Sequence, residues 1–330
     1  MCVVWGLRAV GQVGSGVPRI TEKGGSLTRS GALAYGEEML KEVALPVALI
    51  LIMLGMGMTL VPADFKRVFV KPLASVLGLC LQLLLLPVVA FLLCKGFGLQ
   101  AELAVGLMLI AACPGGATSN LISHLSNGDT ALSVSLTAVS SLVTTLTIPL
   151  VMAFAMSTFM DSAQAVSVPF VKTVIQLMVV SVIPIVVGMG LRSKCPGFCA
   201  KCAKPVNIFS MVFLLLIVVA AVMQEENLGA QFKTAGPAAL SLNVLTMALG
   251  FGLAALFRLG QRQRVTLAIE SGIQNGTLAL AIALGILESS SIAIPAVVYS
   301  LLMFCTGGVM IALFGRGKTQ PASSGPVNVQ

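Results

Sequence analysis

The chain has 330 residues, of which 57% are hydrophobic and only 10% are charged, and its mean hydropathy is +1.01. Soluble domains carry about 25% charged residues, so this composition excludes a soluble globular protein and indicates one embedded in a lipid bilayer. The net charge of +8 comes largely from basic loops between apolar stretches, so it is a signal of membrane topology and does not indicate nucleic-acid binding.

The apolar stretches predict the transmembrane helices. A helix needs about 20 mostly apolar residues to cross ~30 Å of hydrocarbon. Stretches of this length predict nine spans, near residues 42–60, 68–94, 102–123, 130–157, 166–191, 204–224, 234–257, 264–287 and 291–314. The predicted fold class is therefore an all-α polytopic membrane protein, and we expect it in the cell (inner or plasma) membrane.

Basic residues set the expected orientation. Twelve of the 20 Lys and Arg residues lie in the loops after the first, fifth, seventh and ninth spans: Lys66, Arg67, Lys71, Arg192, Lys194, Lys201, Lys204, Arg258, Arg262, Arg264, Arg316 and Lys318. The positive-inside rule makes these loops cytoplasmic, which places the N-terminus outside and the C-terminus inside. Residues 1–38 are expected to be a disordered tail, with a targeting segment or a misassigned start as the alternatives, and their own basic residues oppose this orientation. Residues 317–330 are expected to be a cytoplasmic tail.

The eight cysteines do not predict a metal centre. Cys195, Cys199 and Cys202 cluster in KCPGFCAKC, but a structural zinc site needs four ligands, and the single histidine, His124, belongs to another predicted loop or helix end. We therefore expect reduced thiols, no disulfide framework and no cofactor. The chain has no nucleophile motif, so it is not predicted to be an enzyme, and no obligate protein partner is indicated.

Two polar interruptions within apolar spans carry the chemistry. They are CPGGATSN at 113–120 and ESGIQNG at 270–276. Glycine-rich breaks free backbone carbonyls and amides that lipid cannot satisfy, so they are tolerated only where they are buried in protein or line a cavity. A pair of them, one in each half, indicates the binding site of a secondary transporter near the bilayer midplane.

The second break offers oxygen ligands. Glu270 and Gln274 are spaced i,i+4 and so share a helix face, and Gly272 and Gly276 bracket the point where the helix can unwind. A carboxylate, an amide and free carbonyls suit a hard cation. The alternative is a Glu270 that is protonated or ion-paired within the bundle, although no basic residue falls at mid-span depth.

The first break offers partners for Glu270. It contains Ser119 and Asn120, and the next span carries Ser133 and Thr137 at i,i+4 on one face. These hydroxyls either point back toward Asn120 or merely bond the carbonyls of their own helix. Gln82 is the strongly polar side chain in the middle of its span, where it either binds the ion or holds helices together.

These segments resemble a known family. CPGGATSN, GDTALSVSLT and IESGIQNG, with GMGMTLVPADF upstream, occur in this order over roughly residues 40–315, and the pattern resembles the nine-helix form of the bile acid:sodium symporter family. The resemblance implies a transporter domain at 39–316, built from inverted repeats at about 40–158 and 165–315. It further implies a core domain, in which two discontinuous helices cross at their breaks, beside a panel domain.

The resemblance also implies ligands. One sodium ion is expected at Ser119, Asn120, Ser133, Thr137 and Glu270. A second is expected at the side chains of Gln82, Glu270 and Gln274 and the carbonyls of Ser271 and Ile273. The substrate is expected near Ala117, Thr118, Asn275 and Gly276. The order GGATSN departs from the GGTASN of some relatives, so the identity of the substrate does not transfer.

The function predicted from sequence is therefore symport of an organic anion, such as a bile-acid-like compound, a keto acid or a pantoate-type carboxylate. About two sodium ions would accompany each substrate, by alternating access. The alternatives are a sodium/proton antiporter, in which Glu270 exchanges cations, and an anion efflux transporter with the same crossing-helix core.

Overall fold

We analysed a computed structural model of the chain. It describes residues 45–70, 72–160, 170–202, seven residues between 205 and 216, and 228–315. The two predicted tails, at 1–38 and 317–330, lie outside the described residues, and so does most of the span predicted near 204–224.

The described residues form helices. In chain order these are α1 Leu45–Gly57, α2 Pro62–Val70, α3 Pro72–Cys80, α4 Leu86–Gly96, α5 Ala101–Ala112, α6 Ala117–Leu125, α7 Thr130–Phe159, α8 Phe170–Leu177, α9 Ile183–Lys194, α10 Leu228–Leu256, α11 Gln261–Gly272, α12 Gly276–Gly285 and α13 Ser290–Phe314. Short π-helical segments join α3 to α4 (Leu81–Leu85) and α8 to α9 (Met178–Val182).

Five helices in the described part of the chain are long and apolar enough to cross a membrane: Pro72–Gly96, Thr130–Phe159, Val171–Lys194, Phe232–Leu256 and Ser290–Phe314. A sixth span results if α1 and α2, which are bent by 63° relative to each other, are counted together. The all-α polytopic membrane fold is thus confirmed. The count of nine remains a prediction, because two of the predicted spans are each split into two short helices.

Proline, glycine and asparagine explain where those two spans break. Pro114 disfavours helical backbone at the residue before it, and Cys113 is indeed extended, with φ −71° and ψ 150°. The second break has no proline. There the chain is extended at Ile273, and the Asn275 side chain accepts a hydrogen bond from Leu278 N at 3.0 Å, which caps α12.

The elements around the two breaks follow the same order in each half. The helices α5, α6 and α7 have 12, 9 and 30 residues, whereas α11, α12 and α13 have 12, 10 and 25. This correspondence is what inverted repeats would produce. The inverted relation itself, the core and panel domains, and the predicted domain limits stay predictions.

The broken helices lie in the interior and the long helices surround them. Residues 103–112 of α5, 265–272 of α11 and 276–284 of α12 are buried. The helix α10 packs along α11 and α13, and α13 also packs against α5. The long helices instead expose apolar side chains such as Leu84, Leu150 and Val186, which suits contact with lipid. The polar breaks are thereby kept away from the hydrocarbon.

Candidate functional site

The two breaks contact each other. An isolated antiparallel bridge pairs Gly115 with Gln274, and the amide of Asn275 donates to the carbonyl of Pro114 at 2.9 Å. Each break therefore satisfies backbone groups that the other exposes. Gly115 and Gln274 are 159 positions apart in sequence, and Pro114 and Asn275 are 161 apart, yet all four meet at one crossing point.

A cluster of oxygen atoms surrounds Glu270 beside this crossing. Ser133 Oγ donates to Glu270 Oε1, and Thr137 Oγ1 lies 3.0 Å from Glu270 Oε2. The same hydroxyls lie 2.7 Å and 3.4 Å from Asn120 Oδ1. The interpretation that these hydroxyls serve only their own helix carbonyls is therefore wrong for Ser133 and Thr137. We call these four residues the Glu270 cluster.

The Glu270 cluster holds more acceptors than protons. Each hydroxyl carries one proton, yet the two hydroxyls make four contacts of hydrogen-bond length with acceptor oxygens. Glu270 is 2% exposed, and no ion pair among the described residues involves it. A buried carboxylate needs compensation, and an excess of oxygen lone pairs is the donor set that a hard cation takes.

Ser119 and Gly115 complete one side of this cluster. Ser119 is buried on the first turn of α6 and its hydroxyl donates to Gly116 O at 2.7 Å. A Cβ on Gly115 would lie 2.7 Å from Glu270 Oε2, 3.2 Å from Ser119 Oγ and 3.3 Å from Gln82 Nε2. Gly115 is thus a position where the backbone itself approaches the carboxylate, and only glycine leaves the space open.

Gln82 and Gln274, which we call the glutamine pair, form a second polar region beside Glu270. Gln82 lies on the π-helical segment Leu81–Leu85, and such segments are frequent at functional sites. Gln274 Nε2 donates to the carbonyl of Ser271 at 3.0 Å and contacts that of Glu270 at 3.3 Å. Both amide atoms of Gln82, and Oε1 of Gln274, are buried without a hydrogen-bond partner among the described residues. Unpaired buried amides are costly, and a bound cation would satisfy the oxygens.

A cleft opens on the other side of the crossing. It is lined by the first residues of α6 and α12 together with side chains of α1 and α13: Ile52, Met56, Gly116, Ala117, Thr118, Gln274, Asn275, Gly276, Thr277 and Met303. The structure therefore brings all four predicted substrate residues, Ala117, Thr118, Asn275 and Gly276, to one cleft. Thr277 was not expected, and neither were Ile52, Met56 and Met303. For the last three the reason is that an apolar residue facing a cleft has no distinguishing sequence signal.

Asn243 and Tyr299 are buried polar residues at the second break that sequence reasoning missed. Both donate to the carbonyl of Gly272, at 2.7 Å and 2.9 Å. The signal that drew attention to Gln82 was available for Asn243 as well, because it is an amide in the middle of the apolar helix α10.

The cysteine cluster lies apart from the crossing. Cys195 is exposed, Cys199 is buried and Cys202 is half-buried, and none of the three is paired. Within the described ranges no group of three His, Cys, Asp or Glu side chains is arranged to hold a metal ion.

Comparison with known proteins identifies the family of the chain. The model of the sodium bile acid symporter family matches residues 46–231. The chain is 31% identical over 277 residues to the uncharacterized sodium-dependent transporter YocS of Bacillus subtilis (strain 168). The aligned residues make up 83% of this chain and 84% of that relative.

Two further relatives, one from rice and one from human, are longer than this chain. The chain is 30% identical over 279 residues to the probable chloroplastic sodium/metabolite cotransporter BASS2 of Oryza sativa subsp. japonica. The aligned residues make up 84% of this chain and 65% of the rice protein. It is 33% identical over 245 residues to sodium/bile acid cotransporter 4 of Homo sapiens. The aligned residues make up 71% of this chain and 54% of the human protein. With a family match over more than half its length and these similarities, the chain belongs to the sodium bile acid symporter family.

Proposed function

We propose that this protein is a sodium-coupled symporter that carries an organic anion across the membrane with about two sodium ions. The observation that carries the proposal is the buried Glu270 cluster, which lies beside the crossing of two broken helices and has more acceptor oxygens than protons. The Bacillus, rice and human relatives, whose names describe a sodium-dependent transporter and sodium cotransporters, support it.

The first ion would bind within the Glu270 cluster together with Ser119. Carboxylate, amide and hydroxyl oxygens are hard ligands that suit sodium. When sodium is present, the hydroxyl protons of Ser133 and Thr137 would rotate away from the ion, so their oxygens would also become ligands. The negative charge of Glu270 would be compensated by the ion itself.

The second ion would bind on the other side of Glu270, at the glutamine pair. Its ligands would be Gln82 Oε1, Gln274 Oε1, the carboxylate, and the carbonyls of Ser271 and Ile273. The support is that the two amide oxygens are buried without partners. Glu270 would then be shared by both ions, so that binding of one changes the field at the other.

The anion would occupy the cleft. Among the described residues, no Lys, Arg or His lines the cleft. The charge of the anion would therefore be balanced by bound sodium and by the N-termini of α6 and α12, whose free amides favour negative groups. Gln274 lies both in the glutamine pair and in the cleft lining, which offers a direct link between ion and anion. Ile52, Met56 and Met303 would contact the apolar body of the substrate.

Sodium would supply the driving force. Two sodium ions and one monovalent anion carry one net positive charge, and a unit charge moving through 100 mV yields about 2.3 kcal/mol. Alternating access would follow from movement of the crossing-helix core against a panel domain. We further propose that the C-terminus lies in the cytoplasm and that the protein occupies the cell membrane.

Uptake into proteoliposomes tests the proposal. Purified protein would be reconstituted, and uptake of a panel of radiolabelled carboxylates measured with an inward sodium gradient and with potassium in its place. We expect at least one anion to accumulate only with sodium, and sodium and the anion to tighten each other's binding by the same factor. Equal anion affinity in sodium and potassium would contradict the proposal. Sodium-driven proton movement without any anion would identify an antiporter, and sodium-independent anion export an efflux transporter.

Substitutions at Asn275 test the anion site separately. Asn275→Asp keeps an oxygen that can cap α12 but adds a negative charge to the cleft, so it should abolish anion binding and leave sodium binding in the absence of anion nearly intact. Asn275→Ser is the matched control, because it keeps a capping oxygen without the charge. If both variants bind the anion equally well in a titration with sodium present, the anion does not bind beside Asn275.

A further inference from the structure

The carbonyl of Gly272 is held by two side chains from two other helices. Gly272 is the last residue of α11, where a carbonyl loses its helical partner. Asn243 Nδ2 of α10 donates to it at 2.7 Å and the Tyr299 hydroxyl of α13 at 2.9 Å. Both side chains are fully buried. We call this arrangement the Gly272 clamp.

Close packing of α10 on α11 makes the clamp possible. A Cβ on Gly250 would lie 2.6 Å from the carbonyl oxygen of Leu267 and 2.8 Å from Ser271 Oγ, and a Cβ on Gly272 would collide with the side chain of Met247. Asn243, Met247 and Gly250 follow one another at i, i+4 and i+7 and so share one face of α10. That face lies directly against the end of α11, and a larger residue at either glycine would separate the two helices.

The clamp decides which carbonyls of the break are available. A carbonyl oxygen has two lone pairs, and the two donors occupy both at Gly272, so this oxygen cannot ligate a cation. Ile273 follows with extended backbone, φ −103° and ψ 98°. Successive carbonyls of extended chain point to opposite sides, so holding the Gly272 carbonyl toward α10 and α13 turns the Ile273 carbonyl the other way.

From this geometry we infer that Asn243 and Tyr299 are positioning residues for the second cation site. They hold the Gly272 carbonyl so that the carbonyls on either side of it, at Ser271 and Ile273, are presented toward the glutamine pair. Neither side chain touches the ion. The inference rests on the proposed function, because the second cation site is itself part of that proposal.

Two single substitutions test it, each with a control on the same helix. Tyr299→Phe removes only the clamping hydroxyl, and Ser300→Ala removes an adjacent buried hydroxyl that has no hydrogen-bond partner among the described residues. Asn243→Leu removes the amide donor at similar size. Its control is Thr234→Val on the same helix, because the Thr234 hydroxyl donates to the carbonyl of Ala230 in its own helix, at 3.0 Å.

The functional measurement is the sodium dependence of anion uptake. Loss of one clamping hydrogen bond should raise the sodium concentration for half-maximal uptake roughly three- to tenfold and leave the maximal rate per folded molecule within about twofold. A residue that only holds the fold together would lower the amount of active protein without moving the sodium concentration. Combined with Gln274→Ala, which removes the same cation site, Tyr299→Phe should raise the sodium concentration for half-maximal uptake little further. Combined with Asn120→Ala, which affects the other site, Tyr299→Phe should have its full effect. Unchanged sodium dependence in both clamp variants would overturn the inference.

Amide hydrogen exchange in sodium-free detergent separates this inference from the proposed function. The clamp variants should speed exchange of the amides at 272–276 by roughly tenfold, and the two controls should not. If exchange at 272–276 is faster in the clamp variants but sodium does not stabilise the unmodified protein, the proposed function is wrong. The role of Asn243 and Tyr299 in holding the break is then still supported. If sodium stabilises the unmodified protein but the variants change neither exchange nor sodium dependence, the clamp has no positioning role.

Discussion

The Glu270 cluster and the glutamine pair are neighbouring polar regions at the second break, yet their polar groups are satisfied very differently. In the Glu270 cluster, Ser133 and Thr137 each reach both Glu270 and Asn120. In the glutamine pair, neither amide atom of Gln82 has a partner among the described residues, and Gln274 uses only its nitrogen.

The difference suggests two kinds of ion site around one charge. A network whose oxygens already converge is preorganised, so the free-energy cost of rearranging the ligands when an ion binds is small. Buried amides without partners raise the free energy of the ion-free protein, so binding at the glutamine pair would relieve a cost already present in the fold. We therefore expect the Glu270 cluster to determine whether sodium binds at all and the glutamine pair to determine how much stability sodium adds.

The largest expected effect is at the residue that both regions share. Glu270→Gln keeps the size of the side chain but removes the charge, so sodium-driven uptake and the sodium-induced rise in Tm should both vanish. The matched control is Glu102→Gln, at an exposed carboxylate in the first turn of α5. Sodium-dependent uptake that survives in Glu270→Gln would rule out a shared carboxylate.

Gly115→Ala should be nearly as harmful, because its Cβ would enter the space between the two regions, 2.7 Å from Glu270 Oε2 and 3.3 Å from Gln82 Nε2. We expect sodium binding, measured as the sodium-induced shift in Tm, to weaken by roughly a hundredfold, since a displaced charged ligand costs about 1.5–3 kcal/mol. At Gly116, the nearest atom to a Cβ is 3.7 Å away, so Gly116→Ala should keep its sodium response. Equal sodium responses in the two variants would show that the crossing can absorb a methyl group.

Ser133→Ala tests the Glu270 cluster alone. It removes a hydroxyl that reaches both Glu270 and Asn120, and the sodium concentration for half-maximal uptake should rise roughly tenfold. Ser135→Ala on the same helix is the control, because that hydroxyl bonds only the carbonyl of Ala131, at 2.8 Å. A similar rise in both variants would show a general effect on α7 and no ligand role for Ser133.

The sharpest test of the comparison is the stability of Gln82→Leu. Replacing a buried amide that has no partner should raise the free energy of unfolding of the sodium-free protein by about 1–3 kcal/mol, and the increment that sodium adds should shrink. Asn120→Leu should do the opposite and destabilise the sodium-free protein, because its oxygen accepts from Ser133 and Thr137. Denaturation curves with and without sodium would measure both. If Gln82→Leu is less stable without sodium, the amide already has a structural partner.

Much of the site was predictable because its residue types are rare within a membrane span. Glu270, Gln82, Asn120 and Gln274 stand out in apolar surroundings, where polar side chains are costly and need a reason. The i,i+4 spacing of Ser133 and Thr137 also predicted their shared face, and the structure places both hydroxyls against Glu270. The breaks within two of the spans were predicted as well, and the structure divides each of these spans into two short helices there.

Pairings across the fold had no local signal. Tyr299 and Asn243 lie 27 and 29 positions from Gly272, and nothing in α10 or α13 by itself indicates that both donors meet one carbonyl. The same holds for Ile52, Met56 and Met303, which differ from lipid-facing apolar residues only in where the fold places them.

The sequence by itself determined that the chain lies in a membrane, where its spans break and which side chains carry the oxygens, because the cost of polar groups in hydrocarbon restricts them to sites with a purpose. The tertiary structure decided that the two breaks meet, that Ser133, Thr137 and Asn120 gather at Glu270, and that the lining of the cleft is apolar except at the helix ends. These are distances between segments far apart in sequence, and they are set by how α5, α10, α11 and α13 pack.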